Sequence, residues 1–151
     1  MSADPFTISE VNALPRDEFV ARFGGVFEHS PWVAEAAWDG GGRPWATLLE
    51  LHAVMCAAVH AAGPERQLEL IRAHPDLVGR AALAGTLTRA STAEQAAAGL
   101  DPGRLSPEET ARFAEANAAY TERFGFPFVI CARENPKELI LAGLADRLTN
   151  D

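Results

Sequence analysis

Two short stretches of the chain hold the side chains best suited to acid–base chemistry. In Ala73-His74-Pro75-Asp76-Leu77 a histidine stands directly before a proline, and Ser91-Thr92-Ala93-Glu94-Gln95 supplies a hydroxyl, a carboxylate and an amide. An imidazole titrates near neutral pH, and the other three groups can direct hydrogen bonds to a ligand. Together these side chains suit proton transfer without a metal ion.

His74 also has a purely structural interpretation. The residue before a proline is pushed out of the α region, so a helix should end at or just before His74. Pro75 can then begin another helical turn through Leu77 and Val78. A histidine at such a break can donate to the last carbonyls of the preceding helix, or it can project into a cleft. The local pattern favours the first role.

The second stretch has the same two interpretations. Ser91 and Glu94 have the spacing of a capping box for a helix over 92–98, which Gly99 would end. Helix-start chemistry alone would account for Ser91, Glu94 and Gln95. The functional alternative uses the same geometry, since free N–H groups at a helix start favour an anionic ligand.

His52, Cys56 and His60 follow one another at helical spacing and invite a metal-site hypothesis. Eight residues of helix rise span roughly 12 Å, too far for both imidazoles to bind one ion. We therefore predict no metal site, and place these side chains where a core helix meets solvent or a subunit interface.

Helix start and stop signals divide the chain into about eight helices. Expected starts lie at Leu14–Phe19, Ser30-Pro31, Trp45, Glu65, Thr92, Ser106-Pro107 and Asn135-Pro136. The long apolar stretch from about Trp45 to Ala62 suggests a central helix. Phe126–Ala132 is apolar, β-rich and interrupted by proline, so we expect a buried extended segment whose N–H groups are not used by a helix. Without repeats or composition shifts, the prediction is one all-α domain over residues 1–151, a helical bundle with an extended segment near 126–132.

Composition narrows the possible functions. The chain has 151 residues, 48% of them hydrophobic, and a net charge of -8. Such an acidic surface repels phosphate backbones, so nucleic acid is not an expected partner. No apolar run is long enough for a membrane span, and the N-terminus lacks a signal pattern. Cys56 and Cys131 stand in apolar contexts, which predicts reduced thiols in a cytoplasmic protein.

Three blocks of sequence resemble one enzyme family. They are Phe27-Glu28-His29-Ser30-Pro31-Trp32; the two stretches around His74 and Ser91–Leu100; and Asn117-Ala118-Ala119-Tyr120 running into Arg123–Arg133. In order and spacing, over roughly residues 14–148, the chain resembles 2-oxo-4-hydroxy-4-carboxy-5-ureidoimidazoline (OHCU) decarboxylase, which forms (S)-allantoin from a urate-derived intermediate. The resemblance implies an all-α homodimer without cofactor or metal, acting on a small molecule.

The resemblance also implies roles for individual residues. It makes His74 the catalytic acid and Pro75 and the Ser91–Gln95 turn substrate contacts. Within that turn, Glu94 is taken as catalytic; Ser91, Thr92, Ala93 and Gln95 are taken as binding residues. Backbone groups of Phe128, Val129, Ile130, Cys131 and Ala132 would bind the substrate ring and ureido group. Glu94 would either hold substrate N–H groups or orient the histidine.

The family pattern continues into a further C-terminal helix whose arginine reaches the active site, whereas this chain ends at Asn150-Asp151. We therefore expect either a naturally short protein or a truncated one, with Arg133 or Arg72 neutralising the substrate carboxylate. An alternative from another class is a non-catalytic binding module derived from the enzyme, although intact His74, Glu94 and Gln95 argue against decay. A metal-dependent hydrolase is the third alternative.

Overall fold

The computed structural model describes residues 6–151, which form helices and connecting loops. This range holds nine α-helices, two 3-10 helices and no strand, which confirms the all-α class. None of these helices combines the length and apolarity needed to cross a bilayer. The α-helices are α1 (Ile8–Ala13), α2 (Arg16–Phe23), α3 (Trp32–Asp39), α4 (Leu48–Ala61), α5 (Pro64–Ala73), α6 (Arg80–Leu83), α7 (Arg89–Ala97), α8 (Pro107–Phe124) and α9 (Lys137–Arg147); the 3-10 helices are Pro102–Arg104 and Ala132–Glu134.

The chain divides into two compact units, and the first ends at Ala73. Its core is an apolar cluster contributed by α1 to α4 and the loop before α4: Val11, Phe19, Val33, Ala34, Ala37, Trp45, Leu51 and Met55. Cys56 lies in this unit as a free thiol.

The prediction of a central helix that begins near Trp45 is wrong about where the helix starts and about how much of it is buried. Trp45 exchanges two backbone hydrogen bonds with the Asn12 side chain, at 2.8 and 3.0 Å, and these hold it in a loop. The helix begins after Thr47, whose side chain accepts from the Glu50 N–H. Of its apolar residues only Leu51 and Met55 are buried, whereas Leu49 is 76% exposed.

The second unit, His74–Asp151, is built on α8 and α9. Ser106 and Glu109 form the predicted capping box at the start of α8, and Gly125 ends it at φ 74°, a left-handed conformation that glycine adopts without strain. Lys137 at the start of α9 pairs with Glu109 at 2.5 Å, which lowers the pKa of the carboxyl and raises that of the amine. The core consists of Val78, Leu100, Phe113, Tyr120, Phe128, Ala132, Ile140 and Leu144.

The segment expected to be extended runs between α8 and the second 3-10 helix. Residues 127–131 are neither helical nor paired in a sheet. Phe128 and Ala132 are buried, whereas Val129 and Cys131 are exposed, so the segment is only half-buried. The edge of Phe128 faces α9, where a methyl group built on Gly143 would lie 3.8 Å from its ring. The segment therefore packs on α9 through one side and leaves the other open.

Candidate active site

A small cavity in the second unit brings the two chemistry-bearing stretches together with the irregular segment, the non-helical residues 127–131 that lead into Ala132. Its volume is about 70 Å³. The residues that line it come from three separate parts of the chain: His74, Pro75, Leu77, Ser91, Glu94, Gln95, Val129, Ile130 and Ala132. These three stretches lie far apart along the chain. The fold therefore gathers an imidazole, a hydroxyl, a carboxylate, an amide and backbone groups around one space.

Several predicted site residues lie outside this lining. The Thr92 hydroxyl donates to the Thr88 carbonyl at 2.9 Å, and Thr92 lines a separate cavity of about 130 Å³. Ala93 is exposed, and Phe128 belongs to the core. Cys131 and Arg133 contact Glu94 rather than the cavity itself, and Cys131 is a free thiol.

The predicted capping box at Ser91 and Glu94 is wrong. Helix α7 begins one turn earlier, where the Thr88 hydroxyl accepts from the Ser91 N–H at 3.2 Å. Ser91 is therefore inside the first turn, and Glu94 lies in the middle of the helix. Glu94 serves no capping role, so helix-start chemistry does not account for its presence at the cavity.

The loop after His74 was expected to form a helical turn, and this prediction is also wrong. The helix α5 ends at Ala73, as Pro75 predicts, but Val78 adopts φ 54° and the next helix begins only at Arg80. A left-handed β-branched residue is strained, and such a conformation persists only where surrounding contacts hold it.

Those contacts come from two buried side-chain amides that hydrogen-bond to one peptide group. The Val78 N–H donates to Gln95 Oε1 at 3.0 Å, and the Asn117 Nδ2 donates to the Leu77 carbonyl at 2.8 Å. Both ends of the Leu77–Val78 peptide are thus fixed, one by α7 and one by α8. This clamp sets where His74 and Pro75 lie relative to Glu94 and Gln95.

Gln95 is left with an unused amino group, which carries two N–H donors. The side chain is only 4% exposed, and its Oε1 orientation is fixed by Val78. Its Nε2 is buried and has no hydrogen-bond partner among residues 6–151. Since a buried unpaired donor is costly, this atom is suited to a ligand acceptor.

Glu94 ties α7 to the irregular segment through both carboxylate oxygens. Oε1 accepts from the Arg133 N–H at 2.9 Å and lies 3.7 Å from the Cys131 Sγ, and Oε2 lies 3.1 Å from the Arg133 Nε. A carboxylate has about four acceptor positions, so Glu94 can still accept one more hydrogen bond. It fixes the segment and faces the cavity at the same time.

Asp76 follows Pro75 directly and carries a partly buried carboxylate. Its Oδ1 is buried and lacks a hydrogen bond within the described part of the chain, and burial raises the pKa of the carboxyl above its usual range. With Asn117 it lines another cavity, of about 520 Å³. The folded state therefore binds a proton at Asp76 more tightly than the unfolded state does.

We expect Asp76→Asn to stabilise the protein at neutral pH. Wild-type stability is fully present below the ordinary carboxyl pKa and falls as pH rises through the raised folded-state value. The variant removes that loss. Because Asp76 is only half-buried, we expect a gain of about 1 kcal/mol or less, or a few degrees in Tm.

Thermal unfolding from pH 4 to 8 measures this effect. The difference in Tm between the variant and wild type should grow with pH and vanish at the acid end. Asp146→Asn, at an exposed position on α9, is the control and should show no such trend. A pH-independent difference, or a lower Tm at pH 7, would contradict the account.

Between Phe6 and Asp151, no group of three or more His, Cys, Asp or Glu side chains is placed to hold a metal ion. His52 and Cys56 do approach each other, with the sulfur 3.5 Å from the imidazole Nε2, but both lie on α4 in the first unit. The cavity itself offers only His74 and Glu94 of these residue types.

Comparison with known proteins places this geometry in a family. The family model for OHCU decarboxylase matches residues 12–151. The chain belongs to the OHCU decarboxylase family. A 2-oxo-4-hydroxy-4-carboxy-5-ureidoimidazoline decarboxylase of Amia calva is 46% identical over 142 residues, covering 94% of this chain and 79% of the relative. One of Haloferax volcanii is 45% identical, covering 94% and 80% of the two chains.

A solved structure shares the fold of this OHCU decarboxylase family member. The crystal structure of (S)-allantoin synthase aligns with a TM-score of 0.74 and 30% sequence identity. The alignment covers 97% of this chain and 45% of that longer chain.

Sequence reasoning missed some residues that organise the site. Thr88 is a normal capping residue, but two overlapping start patterns hid it. Asn117 was predicted only as part of a block that resembles the family, and its bond to the Leu77 carbonyl crosses 40 residues of sequence. Arg147, in the last turn of α9, bonds the Val129 carbonyl, and no local pattern points to that contact.

Proposed function

We propose that this chain decarboxylates OHCU to (S)-allantoin and CO₂ without a cofactor and controls which face is protonated. The observation that carries the proposal is the meeting of His74, Glu94 and Gln95 at one cavity in a member of this family. The site residues and their roles are part of the proposal.

The chemistry requires an electron sink, a proton donor and an oriented substrate. When CO₂ leaves, the electron pair of the broken C–C bond remains on the ring carbon. The adjacent ring C=N bond, at the ureido-bearing carbon, accepts the pair: a C=C bond forms between the two ring carbons and the ring nitrogen takes up a proton. The product is an enol or enolate, so no external sink is needed. A proton delivered to the ureido-bearing carbon then gives allantoin, while the hydroxyl on the carbon that lost CO₂ gives up its proton and becomes the ring carbonyl. Fixed N–H donors stabilise the enolate oxygen in the meantime.

His74 supplies the proton in this scheme. An imidazole is a suitable acid near neutral pH, and the clamp on the Leu77–Val78 peptide holds its loop in place. Delivery from one fixed side of the cavity determines the configuration of the product. Pro75 and Ser91 line the same space and limit how the ring can lie.

Gln95 and Glu94 orient the substrate from the other wall. The buried Gln95 Nε2 donates to a substrate carbonyl or carboxylate oxygen, because the protein offers it no acceptor within the described residues. Glu94 accepts from a ureido or ring N–H with its remaining lone pair, while its other contacts hold Arg133 and the irregular segment. We favour this role over the alternative of orienting His74, because the contacts of Glu94 are with Cys131 and Arg133.

Arg133 neutralises the substrate carboxylate in the proposed complex. Its Nε pairs with Glu94 at the edge of the cavity, and its side chain is 64% exposed. Arg72, the other candidate, lies in the last turn of α5 in the first unit.

We expect Arg133→Ala to raise KM for OHCU about 10- to 100-fold, since it removes a charge-assisted contact made with the bound substrate. Steady-state kinetics on freshly generated OHCU measure this. Arg112→Ala, at an exposed position on α8, is the control. If Arg133→Ala leaves KM and turnover unchanged, another cation fills this role.

We further propose a homodimer in the cytoplasm, on the resemblance to the family alone. Sedimentation or light scattering at micromolar concentration tests the dimer. A mass that remains monomeric at all concentrations contradicts it.

CO₂ release tests the proposed activity. Urate is fed through urate oxidase and hydroxyisourate hydrolase to generate OHCU, and this chain is then added. We expect the rate of CO₂ release to rise in proportion to the protein concentration. Release at the spontaneous rate would reject the activity, and allantoin binding without acceleration would instead favour a non-catalytic binding module.

A further inference from the structure

We infer that Arg147 is a positioning residue that aims and polarises the Ile130 N–H toward the ligand in the cavity. Arg147 does not line the cavity, and it acts through the Val129–Ile130 peptide group. The inference rests on the proposed function, because it assigns a donor to the substrate bound there.

Arg147 holds the irregular segment through two contacts. Its Nη1 donates to the Val129 carbonyl at 2.8 Å, and its guanidinium lies 4.8 Å from the centre of the Phe128 ring. Phe128 is 2% exposed and anchored in the core of the second unit. A planar cation stacked on a fixed ring has few alternative positions, so the carbonyl it bonds is fixed as well.

Fixing this carbonyl also fixes an N–H. The carbonyl of Val129 and the N–H of Ile130 belong to one trans peptide group, because the cis bond found within the described residues is Arg43–Pro44. In a trans peptide the two groups point in opposite directions. With the carbonyl turned to Arg147, the Ile130 N–H points away from α9. Ile130 lines the cavity, and its N–H has no acceptor among residues 6–151.

The next peptide group but one repeats the arrangement. The Asn135 Nδ2 donates to the Cys131 carbonyl at 2.9 Å, which turns the Ala132 N–H the other way. Ala132 also lines the cavity, and its N–H likewise lacks an acceptor within the described chain. Two side chains outside the cavity thus direct two N–H donors at it. Only the Arg147 contact carries a charge, and the Cys131 carbonyl also accepts from the Glu134 N–H.

The charge determines what the Ile130 N–H prefers to bind. A cation at the carbonyl draws electron density through the peptide and strengthens the N–H as a donor. Such a donor favours an acceptor on which negative charge develops, as on the enolate oxygen. The ligand at this point is therefore the oxygen that carries negative charge in the enolate, which is the substrate hydroxyl oxygen on the carbon that loses CO₂, and Arg147 stabilises it without touching it.

Three variants separate this role from simple support of the fold. Arg147→Met keeps the length of the side chain but removes the donor and the charge, and Arg147→Lys keeps one charged donor. Arg123→Met is the matched control, because Arg123 also stacks on a phenylalanine, Phe124, and donates to a carbonyl, that of Asn150. The readouts are the amide shifts of Ile130 and Ala132 in ¹H–¹⁵N spectra, titration with (S)-allantoin, and kcat and KM for OHCU.

We expect Arg147→Met to move the free Ile130 amide proton upfield, to lower kcat about tenfold, and to change KM less. Arg147→Lys should recover part of kcat, and Arg123→Met should keep wild-type kcat and amide shifts. Unchanged kcat and an unchanged Ile130 shift in Arg147→Met would overturn the inference. If Arg147→Met does not fold, Arg147→Lys alone tests the inference. A kcat below the wild-type value would support it, and a wild-type kcat would overturn it.

Failure of the proposed function gives a different result. In that case the wild-type chain itself neither accelerates CO₂ release nor shifts its Ile130 and Ala132 amides when (S)-allantoin is added. The inference about Arg147 fails instead when wild type does both and Arg147→Met behaves as wild type does.

Discussion

Replacing His74 with asparagine is expected to lower kcat for OHCU by about 10²- to 10⁴-fold, the usual contribution of a general acid. Asparagine keeps a polar side chain but cannot deliver the proton. The remaining allantoin should be close to racemic, because protonation then comes from solvent. Substrate binding should change little, since Gln95, Glu94 and the backbone donors are still present. Kinetics combined with chiral analysis of the product measure both effects.

His60→Asn is the matched control, because His60 lies exposed on α4 in the first unit. It should keep wild-type turnover and product configuration. A His74→Asn variant that retains full activity would remove the role assigned to His74, while leaving decarboxylation by another acid open. Retained stereocontrol with reduced kcat would show that the cavity walls alone determine the face.

The second large effect is expected at Glu94. Glu94→Gln should lower kcat/KM by about 10²- to 10³-fold, as the loss of a preorganised polar group in an active site commonly does. The change removes a negative charge that both receives substrate N–H groups and holds Arg133. An amide oxygen can still accept from the Arg133 N–H, so we expect the fold to persist and the electrostatic part of the role to be lost.

A double-mutant cycle with Arg133→Ala tests the link between these two side chains. Their contact at 3.1 Å predicts that the two effects on kcat/KM are not additive. Glu115→Gln, at an exposed position on α8, is the control and should behave as wild type. Additive effects would mean that Glu94 and Arg133 act on the substrate independently. A wild-type kcat/KM in Glu94→Gln would contradict any catalytic role for Glu94.

Local signals predicted the helices where a single nearby contact decides the boundary. Pro75 ends α5 at Ala73, Ser106 and Glu109 cap α8, and Gly125 ends it. Helix α1 was missed although Thr7 and Glu10 form a capping box that could have revealed it. The α7 start was placed too late, because a Ser91–Glu94 pattern overlapped the true cap at Thr88.

Contacts that join distant parts of the chain escaped sequence reasoning. Glu94 matches a capping box locally, but its carboxylate is drawn to Arg133, 39 residues later. Asn135 was expected to cap α9, yet its side chain bonds Cys131, and α9 begins without a side-chain cap. Val78 was expected to be helical, but the bonds of Gln95 and Asn117 to the Leu77–Val78 peptide hold its left-handed backbone. In each case a tertiary hydrogen bond overrides the local preference.

The histidine-proline stretch and the Ser91–Gln95 stretch therefore matter for a different reason from the one their local patterns gave. His74 does follow the end of α5, but the Ser91–Gln95 stretch lies within α7 rather than at its start. Instead, buried Gln95 and Asn117 grip the loop after His74, and Glu94 grips the segment that carries Ile130 and Ala132. The cavity is the space that these two clamps leave between them.

The handedness of the product tests the central claim most directly. OHCU is generated from urate in the presence of this chain, and the allantoin formed is followed by circular dichroism. We predict an (S)-allantoin signal that develops at a rate proportional to the protein concentration and that is lost in His74→Asn. Allantoin that forms at the spontaneous rate and without optical activity would contradict the account.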